Sequence, residues 1–255
     1  MEPDSGSRTA FSADLSSRFE QAMEPLRAGA DRPIGVLFSG GVDSALLAWE
    51  LRTLPGVTLW TLGQNGSPDV AQAQLAARRL GLPWNRIDYS ETEIHHAERR
   101  FHQELEGVGA VVHSVLLALA LAIELVPPEK LVCGQGVDEL FLGYAHYRDL
   151  GAPEAEVRSL EDLARLRTSD WPRTQQIART VGKEILAPYL HPPFVEAALR
   201  VPVSYRLPGK LPKGFFRRWA VDRGLPEALS RRPKKAMQYG SGVDRLVRSM
   251  RRTER

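Results

Sequence analysis

IGVLFSGGVDSALLAWELR, residues 34–52, carries the architecture of this chain. Its opening run, IGVLFS (34–39), is too short for a helix and is apolar on both alternating faces, as a strand buried in a parallel sheet must be. Gly40 and Gly41 break the run, and ALLAWELR (45–52) continues as a helix until Pro55 and Gly56 end it. A strand that passes through glycines into a helix N-terminus is where oxyanions bind. The free N–H groups and the helix dipole point at the ligand, and glycine lets the backbone approach it. Ser39 and Ser44 add hydroxyl donors. Asp43 is the revealing residue, because a carboxylate among phosphates is repulsive unless a divalent cation stands between them. Asp43 is therefore read as a magnesium ligand. No lysine sits in the loop, so it is not a Walker-type phosphate loop.

Outward from this unit the same rhythm repeats. VTLWTL (57–62), WNRIDYS (84–90) and KLVCG (130–134) are further strands, with helices over 66–82, about 91–105 and 113–125 between them. This alternation predicts a doubly wound α/β parallel sheet. Residues 1–12 read as a loose terminus and 13–29 as a helix on Leu15, Phe19, Met23 and Leu26. Beyond residue 137 no strand is expected. Helices over 137–150, 158–169, 172–181, 192–201, 212–223 and 243–252 would form a layer across the active edge. The expected organisation is one unit, 1–255, with an α/β nucleotide-binding part (1–150) and a mostly helical part (151–255).

Composition bounds the function classes. With 255 residues, 43% hydrophobic and 25% charged, the chain has the make-up of a globular domain. The single cysteine, Cys133, excludes an intrachain disulfide framework and a dithiol redox site. The longest apolar run, Val115 to Ile123, is about half of what a bilayer span needs, and the acidic start is no secretory signal. No membrane partner and a cytoplasmic location are expected. The six histidines show no metal-binding spacing. Charge is uneven: residues 231–255 hold nine Lys/Arg against Asp244 and Glu254, leaving the rest net acidic within a total of +3. That basic end could meet nucleic acid, but a solvated helix and tail is the favoured reading.

Strand four runs into CGQGVDELFLGY (133–144). Neighbouring parallel strands end on the same side of a sheet, so this loop should face the first one. Asp138 then offers a second carboxylate to the same magnesium, and Glu139 reaches substrate or a basic partner. Gly63 and Gly134, at the ends of strands two and four, are expected beside Ser39, Gly40, Gly41, Asp43 and Ser44 in the nucleotide site. A phosphate loop without lysine must receive positive charge from elsewhere, and the C-terminal part is where the chain keeps it.

SGGVDS resembles the signature of the N-type ATP pyrophosphatases, or PP-loop enzymes, which cleave ATP between the α- and β-phosphates and adenylate a substrate. The resemblance implies an adenine nucleotide alpha hydrolase-like fold. CGQGVDELFLGY is similar to the GEGADELFGGY motif of the asparagine synthetase family, GSPD (66–69) matches as well, and GKEILAPYLHPPFVEAAL (182–199) is a looser match. LPKGFFRRWA (211–220) and LPEALSRRPKKAMQYGSG (225–242) resemble the family's K-x-x-x-R and R-x-K elements, which places Lys213, Arg217 and Lys234 at motif positions. The resemblance gives Lys234 the α-phosphate and makes Lys213, Lys234, Glu139 and Gln135 the catalytic candidates. It implies ATP and Mg2+, a small carboxylate substrate and an amine donor. Two departures matter. Glutamine-dependent members begin with a glutaminase domain and an N-terminal cysteine, whereas this sequence starts Met1-Glu2; free ammonia or a separate glutaminase or other amine-supplying partner is implied. The family's glutamate before the second glycine is Gln135, and an amide is not a general base, so transfer to ammonia is the altered step. The expectation is an ATP-dependent, AMP-forming, amide-forming ligase. The alternatives are an RNA-modifying PP-loop enzyme and a binding module with a degenerate site.

Overall fold

The computed structural model describes residues 5–28, 32–207, 212–232, 242–244 and 246. Among these, five strands, all parallel, form one sheet: β1 Ile34–Leu37, β2 Val57–Leu62, β3 Trp84–Ile87, β4 Lys130–Val132 and β5 Glu184–Leu186. Their order is β3-β2-β1-β4-β5. Ile34 stands opposite Val57 on one side and Lys130 on the other, and Lys130 pairs in turn with Glu184. β1 is buried along its whole length, so its side chains meet apolar layers on both faces. That is why it reads as an unbroken apolar run.

The helices are α1 Ser5–Ala28, α2 Val42–Leu51, α3 Pro68–Leu80, α4 Glu91–Arg100, α5 His102–Leu105, α6 Ala110–Leu125, α7 Val137–Leu140, α8 Ala152–Arg165, α9 Trp171–Thr180, α10 Pro192–Arg200, α11 Val203–Arg206, α12 Gly214–Asp222 and α13 Glu227–Ser230. The chain winds outward from β1 through α2 and α3 to β3, then returns through α6 to β4 on the other side of β1. Right-handed crossovers in opposite directions place α2–α3 and α6 on opposite faces. α12 and α13 pack against α2, and α4 and α9 against α6. The point where the winding reverses is the crevice between β1 and β4, where ligands of such sheets sit. Both glycine loops open onto it.

Local signals explain the boundaries. Ser67 caps α3 by accepting from the Val70 amide, Pro68 opens the helix, and Gly81 closes it at φ 68°. Ser90 and Glu93 form a capping box at the start of α4. The open carbonyls at the end of α6 are met by a half-buried lysine: Lys183 Nζ donates to Ile123 O at 2.7 Å and to Glu124 O at 3.1 Å.

Several expectations are corrected here. A strand does follow residue 137: β5, three residues in the middle of GKEILAP, adds to the edge beside β4. Of the residues expected to be loose, 5–12 are helical, since α1 begins at Ser5 and lays Leu15, Phe19, Met23 and Leu26 into the core. The helix expected over 91–105 is broken at Phe101 into α4 and α5. Residues 137–150 hold a single helical turn, α7, and a short 3-10 turn at Ala145–Tyr147. Of 243–252, only residues 243, 244 and 246 are described. No helix of the described residues is long and apolar enough to cross a membrane.

One cluster links the helical part to the site. Phe19 stacks on Tyr189 at 5.4 Å, and Phe194, Phe216 and Trp219 close around them. Tyr189, fully buried in this apolar group, donates its hydroxyl to the backbone carbonyl of Asp43 at 2.9 Å. The first turn of α2 is thereby held from behind.

Candidate functional site

The first loop needs its glycine at position 40 twice over. Gly40 has φ +67°, and a Cβ there would lie 2.4 Å from Arg232 Nη1 and 3.0 Å from the Ala73 backbone. The loop's own donors hold its shape: the Gly41 amide donates to Ser39 Oγ at 3.3 Å, and the Ser39 and Ser44 hydroxyls lie 3.3 Å apart. Arg232 crosses from the C-terminal part and donates to Gly40 O at 3.0 Å and Gln72 O at 2.8 Å. A guanidinium thus braces the loop from outside. Nothing in the sequence distinguished Arg232 from the neighbouring basic residues.

The second loop meets the first at close range. A Cβ on Gly134 would stand 3.0 Å from Asp43 Cβ. Gly136, at φ +103°, starts the single turn of α7, which carries Asp138 and Glu139 to the sheet edge.

Lys213 joins the two loops. Its ammonium lies 2.7 Å from Asp43 Oδ2 and 2.7 Å from Asp138 Oδ1. Lys213 and Asp43 are each 3% exposed, so one carboxylate and the shared cation are withdrawn from water together, while the Asp138 side chain keeps 17% exposure. Such a group persists only if its geometry is good. Three segments distant in sequence meet here: the end of β1, the end of β4 and the start of α12. Two non-glycine residues among those described have left-handed backbones, Leu142 at φ 55° and Lys213 at φ 63°. Both sit in this cluster, since Leu142 precedes Gly143, whose Cβ would fall 2.1 Å from Asp138 Oδ1 and 2.2 Å from Lys213 Cε. Backbone strain concentrated at one place is a mark of a functional constraint.

The remaining candidates divide. Glu139 does not reach outward: it is 5% exposed, and Tyr144 Oη donates to its Oε1 at 2.6 Å. Burial and the charge of Asp138 push its carboxyl up to about 7. Ser159 Oγ holds its carbonyl at 2.8 Å. Gln135 is half-buried at the turn, with its amide oxygen 3.8 Å from Cys133 Sγ. The Cys133 thiol is driven up to about 12 by complete burial, which makes it inert as a nucleophile. Gly63 follows β2 on the same edge, but its amide is committed to Ile87 O at 3.1 Å. Arg217 is held by carbonyls and not by either glycine loop: its Nε donates to Pro212 O at 2.7 Å and its Nη1 to Ser230 O and Arg232 O. Lys234 lies outside the described residues.

Asp43 Oδ2 and Asp138 Oδ1 converge on the Lys213 ammonium, and hard carboxylate oxygens of this kind suit magnesium when phosphates and water complete its shell. The described residues contain no group of three or more His, Cys, Asp or Glu that could hold a metal without such help.

The profile of the asparagine synthase family matches residues 14–161 and 151–254, nearly all of this chain. The chain belongs to the asparagine synthase family. A proposed glutamine-hydrolysing asparagine synthetase of Methanocaldococcus jannaschii is 27% identical over 86% of this chain and 47% of its own length. The glutamine-hydrolysing asparagine synthetase B of Escherichia coli K12 is 26% identical over 84% of this chain and 42% of its own. That of Pongo abelii is 30% identical over 82% of this chain and 40% of its own. The chain thus spans less than half the length of these curated relatives. Among solved structures, that of a predicted tRNA methyltransferase subunit from Methanocaldococcus jannaschii covers 63% of this chain at 20% identity. Its TM-score, 0.31, is too low to carry an argument.

Proposed function

We propose that this asparagine synthase family member is an ATP-dependent ligase that adenylates a small carboxylate, releases pyrophosphate, and passes the acyl group to ammonia or another amine. The observation that supports this reading best is the buried Lys213 ammonium between Asp43 and Asp138, at the crevice where the strand order reverses. Membership of the family, whose relatives are named asparagine synthetases, points the same way.

In this reading Ser39, Gly40, Gly41 and Ser44 cradle the β- and γ-phosphates at the start of α2, with Gly63 and Gly134 leaving room for the nucleotide. Two carboxylates against one ammonium leave the meeting point of the loops net negative, which repels a polyphosphate. Magnesium held by Asp43 and Asp138 would reverse that sign and offset charge on the bridging oxygen. Lys213 is placed to stabilise the departing pyrophosphate, where a preorganised cation acts without reorganisation cost. Lys234 is assigned the α-phosphate by motif position alone. Glu139 and Gln135 belong to the acceptor side, Glu139 as a buried proton-holding carboxyl and Gln135 as a neutral hydrogen-bonding group. The unit is taken as one domain over 1–255, its α/β part binding ATP and its helical part closing the site.

The test is pyrophosphate release from ATP and Mg2+ with a panel of carboxylates that includes aspartate. The expected result is release that depends on one carboxylate and is abolished in Asp43→Asn. Conversion of ATP to ADP and phosphate, or carboxylate-independent turnover, would overturn the assignment.

A further inference from the structure

Behind α12, away from both glycine loops, lies a cavity of about 460 Å³ between α1, α11, α12 and α13. That volume is in the range of small-molecule sites. No residue of the 38–44 or 133–144 segments lines it. Four of its lining residues are arginines, Arg8, Arg217, Arg218 and Arg231, against one acid, Glu227. They come from three separate helices, so this is not the charged stripe of one solvated helix.

Their present partners leave the excess uncompensated. Arg231 pairs with Glu227 at 2.6 Å, with both side chains more than half exposed. Arg217 is spent on backbone carbonyls, which satisfy its donors, and its charge is offset in part by Asp43 and Asp138, so the excess rests with Arg8 and Arg218. Arg8 stands over the Tyr205 ring at 5.9 Å. Arg218 is exposed and makes no hydrogen bond or ion pair with another described residue. Converging like charges repel, and each guanidinium presents a planar donor fork that matches phosphate and carboxylate oxygens. The walls supply the complement: Tyr205, Phe215, Leu207 and Trp219 also line the same space.

We propose that this cavity is a second binding site, for a small ligand bearing an anionic phosphate or carboxylate group on a planar or apolar body. The anion would be taken by Arg218 and Arg8 at the rim, and the body by the ring-lined wall.

The experiment is calorimetric titration of the full chain with phenyl phosphate and phenylacetate, with benzyl alcohol and inorganic phosphate as controls. The proposal expects one saturable site for at least one of the two ring-bearing anions, and the stronger of them identifies the anion. Neither control should match it. Arg218→Ala and Arg8→Ala should each weaken binding by about tenfold, the scale of one lost charge-assisted hydrogen bond. Asp43→Asn should leave binding unchanged, which separates this cavity from the adenylation site whatever the fate of that reading. Absence of saturable binding by either anion would overturn the proposal. So would equal binding of benzyl alcohol or inorganic phosphate, or affinity lost in Asp43→Asn but kept in Arg218→Ala.

Discussion

Replacing Lys213 by methionine removes one positive charge and little volume, and it tests the centre of the site directly. Both carboxylate oxygens lie 2.7 Å from its Nζ. Without the ammonium, two carboxylates face each other across roughly 5 Å. At an effective dielectric of about 20 that repulsion is worth about 3 kcal/mol, and breaking one arm of a buried ion pair costs about 3–5 kcal/mol in measured cases. For a chain of this size each kcal/mol moves the melting midpoint by about 2–4 °C, so a fall of about 6–20 °C is expected. The assay is thermal unfolding for the midpoint and urea unfolding for the free energy, on four proteins: the parent, Lys213→Met, Asp43→Asn and the double variant. In the double variant the Asp138 carboxylate is left without a second carboxylate to repel it, so its loss should be smaller than the two single losses together by about 2 kcal/mol or more. Added Mg2+ should raise the midpoint of Lys213→Met more than that of the parent, because the bare carboxylate pair becomes a better cation site. Additive losses within about 0.5 kcal/mol, or a Lys213→Met midpoint equal to the parent's, would refute the claim that this triad is a coupled buried unit.

Gly143→Ala should remove activity and lower the midpoint, because its methyl would fall 2.1 Å from Asp138 Oδ1 and 2.2 Å from Lys213 Cε; a variant with parental turnover would contradict the packing. Glu139, held up to about 7 when folded, binds more protons in the native than in the unfolded chain between its ordinary range near 4.5 and 7. Stability from this group is therefore present at low pH and declines as pH rises through 7. Glu139→Gln should consequently gain on the parent in thermal midpoint between pH 5 and pH 8, and a constant difference would count against the buried-carboxyl reading. Cys133, buried and pushed up to about 12, should react with a thiol reagent only as fast as the chain opens, so rapid modification of the native protein would be inconsistent with its position.

The sequence yielded some of this geometry and hid the rest for physical reasons. β1 was legible because a strand buried on both faces is apolar throughout, and VTLWTL and KLV because they are mainly apolar runs bounded by turn signals and short enough to exclude helix. β5 was not, because Glu184–Leu186 is three residues between helical neighbours and its pairing with β4 is nonlocal. The start of α1 escaped notice since its apolar spacing begins only at Phe11 and Leu15. Asp43 and Asp138 could be brought to one crevice by strand order alone. That Lys213 would lie between them required tertiary contact across 170 positions for Asp43, which no local pattern encodes. Arg217 stood at a motif position and Arg232 did not, and only the structure shows that the first is tied to carbonyls of the C-terminal part while the second braces Gly40.

The left-handed backbone at Lys213 has a consequence for how the molecule is made. The two acidic loops can form as soon as the first 144 residues have folded, but the charge that reconciles them arrives only when the chain near position 213 has been delivered and bent into an unfavourable conformation. Until then the nascent sheet carries two like charges at its mouth, and water or a divalent ion must keep them apart. A folding intermediate with an intact sheet and an undocked α12 should therefore open at exactly this crevice. Recovery of the crevice would report that the last third of the chain has docked, well after the sheet itself has gained its secondary structure.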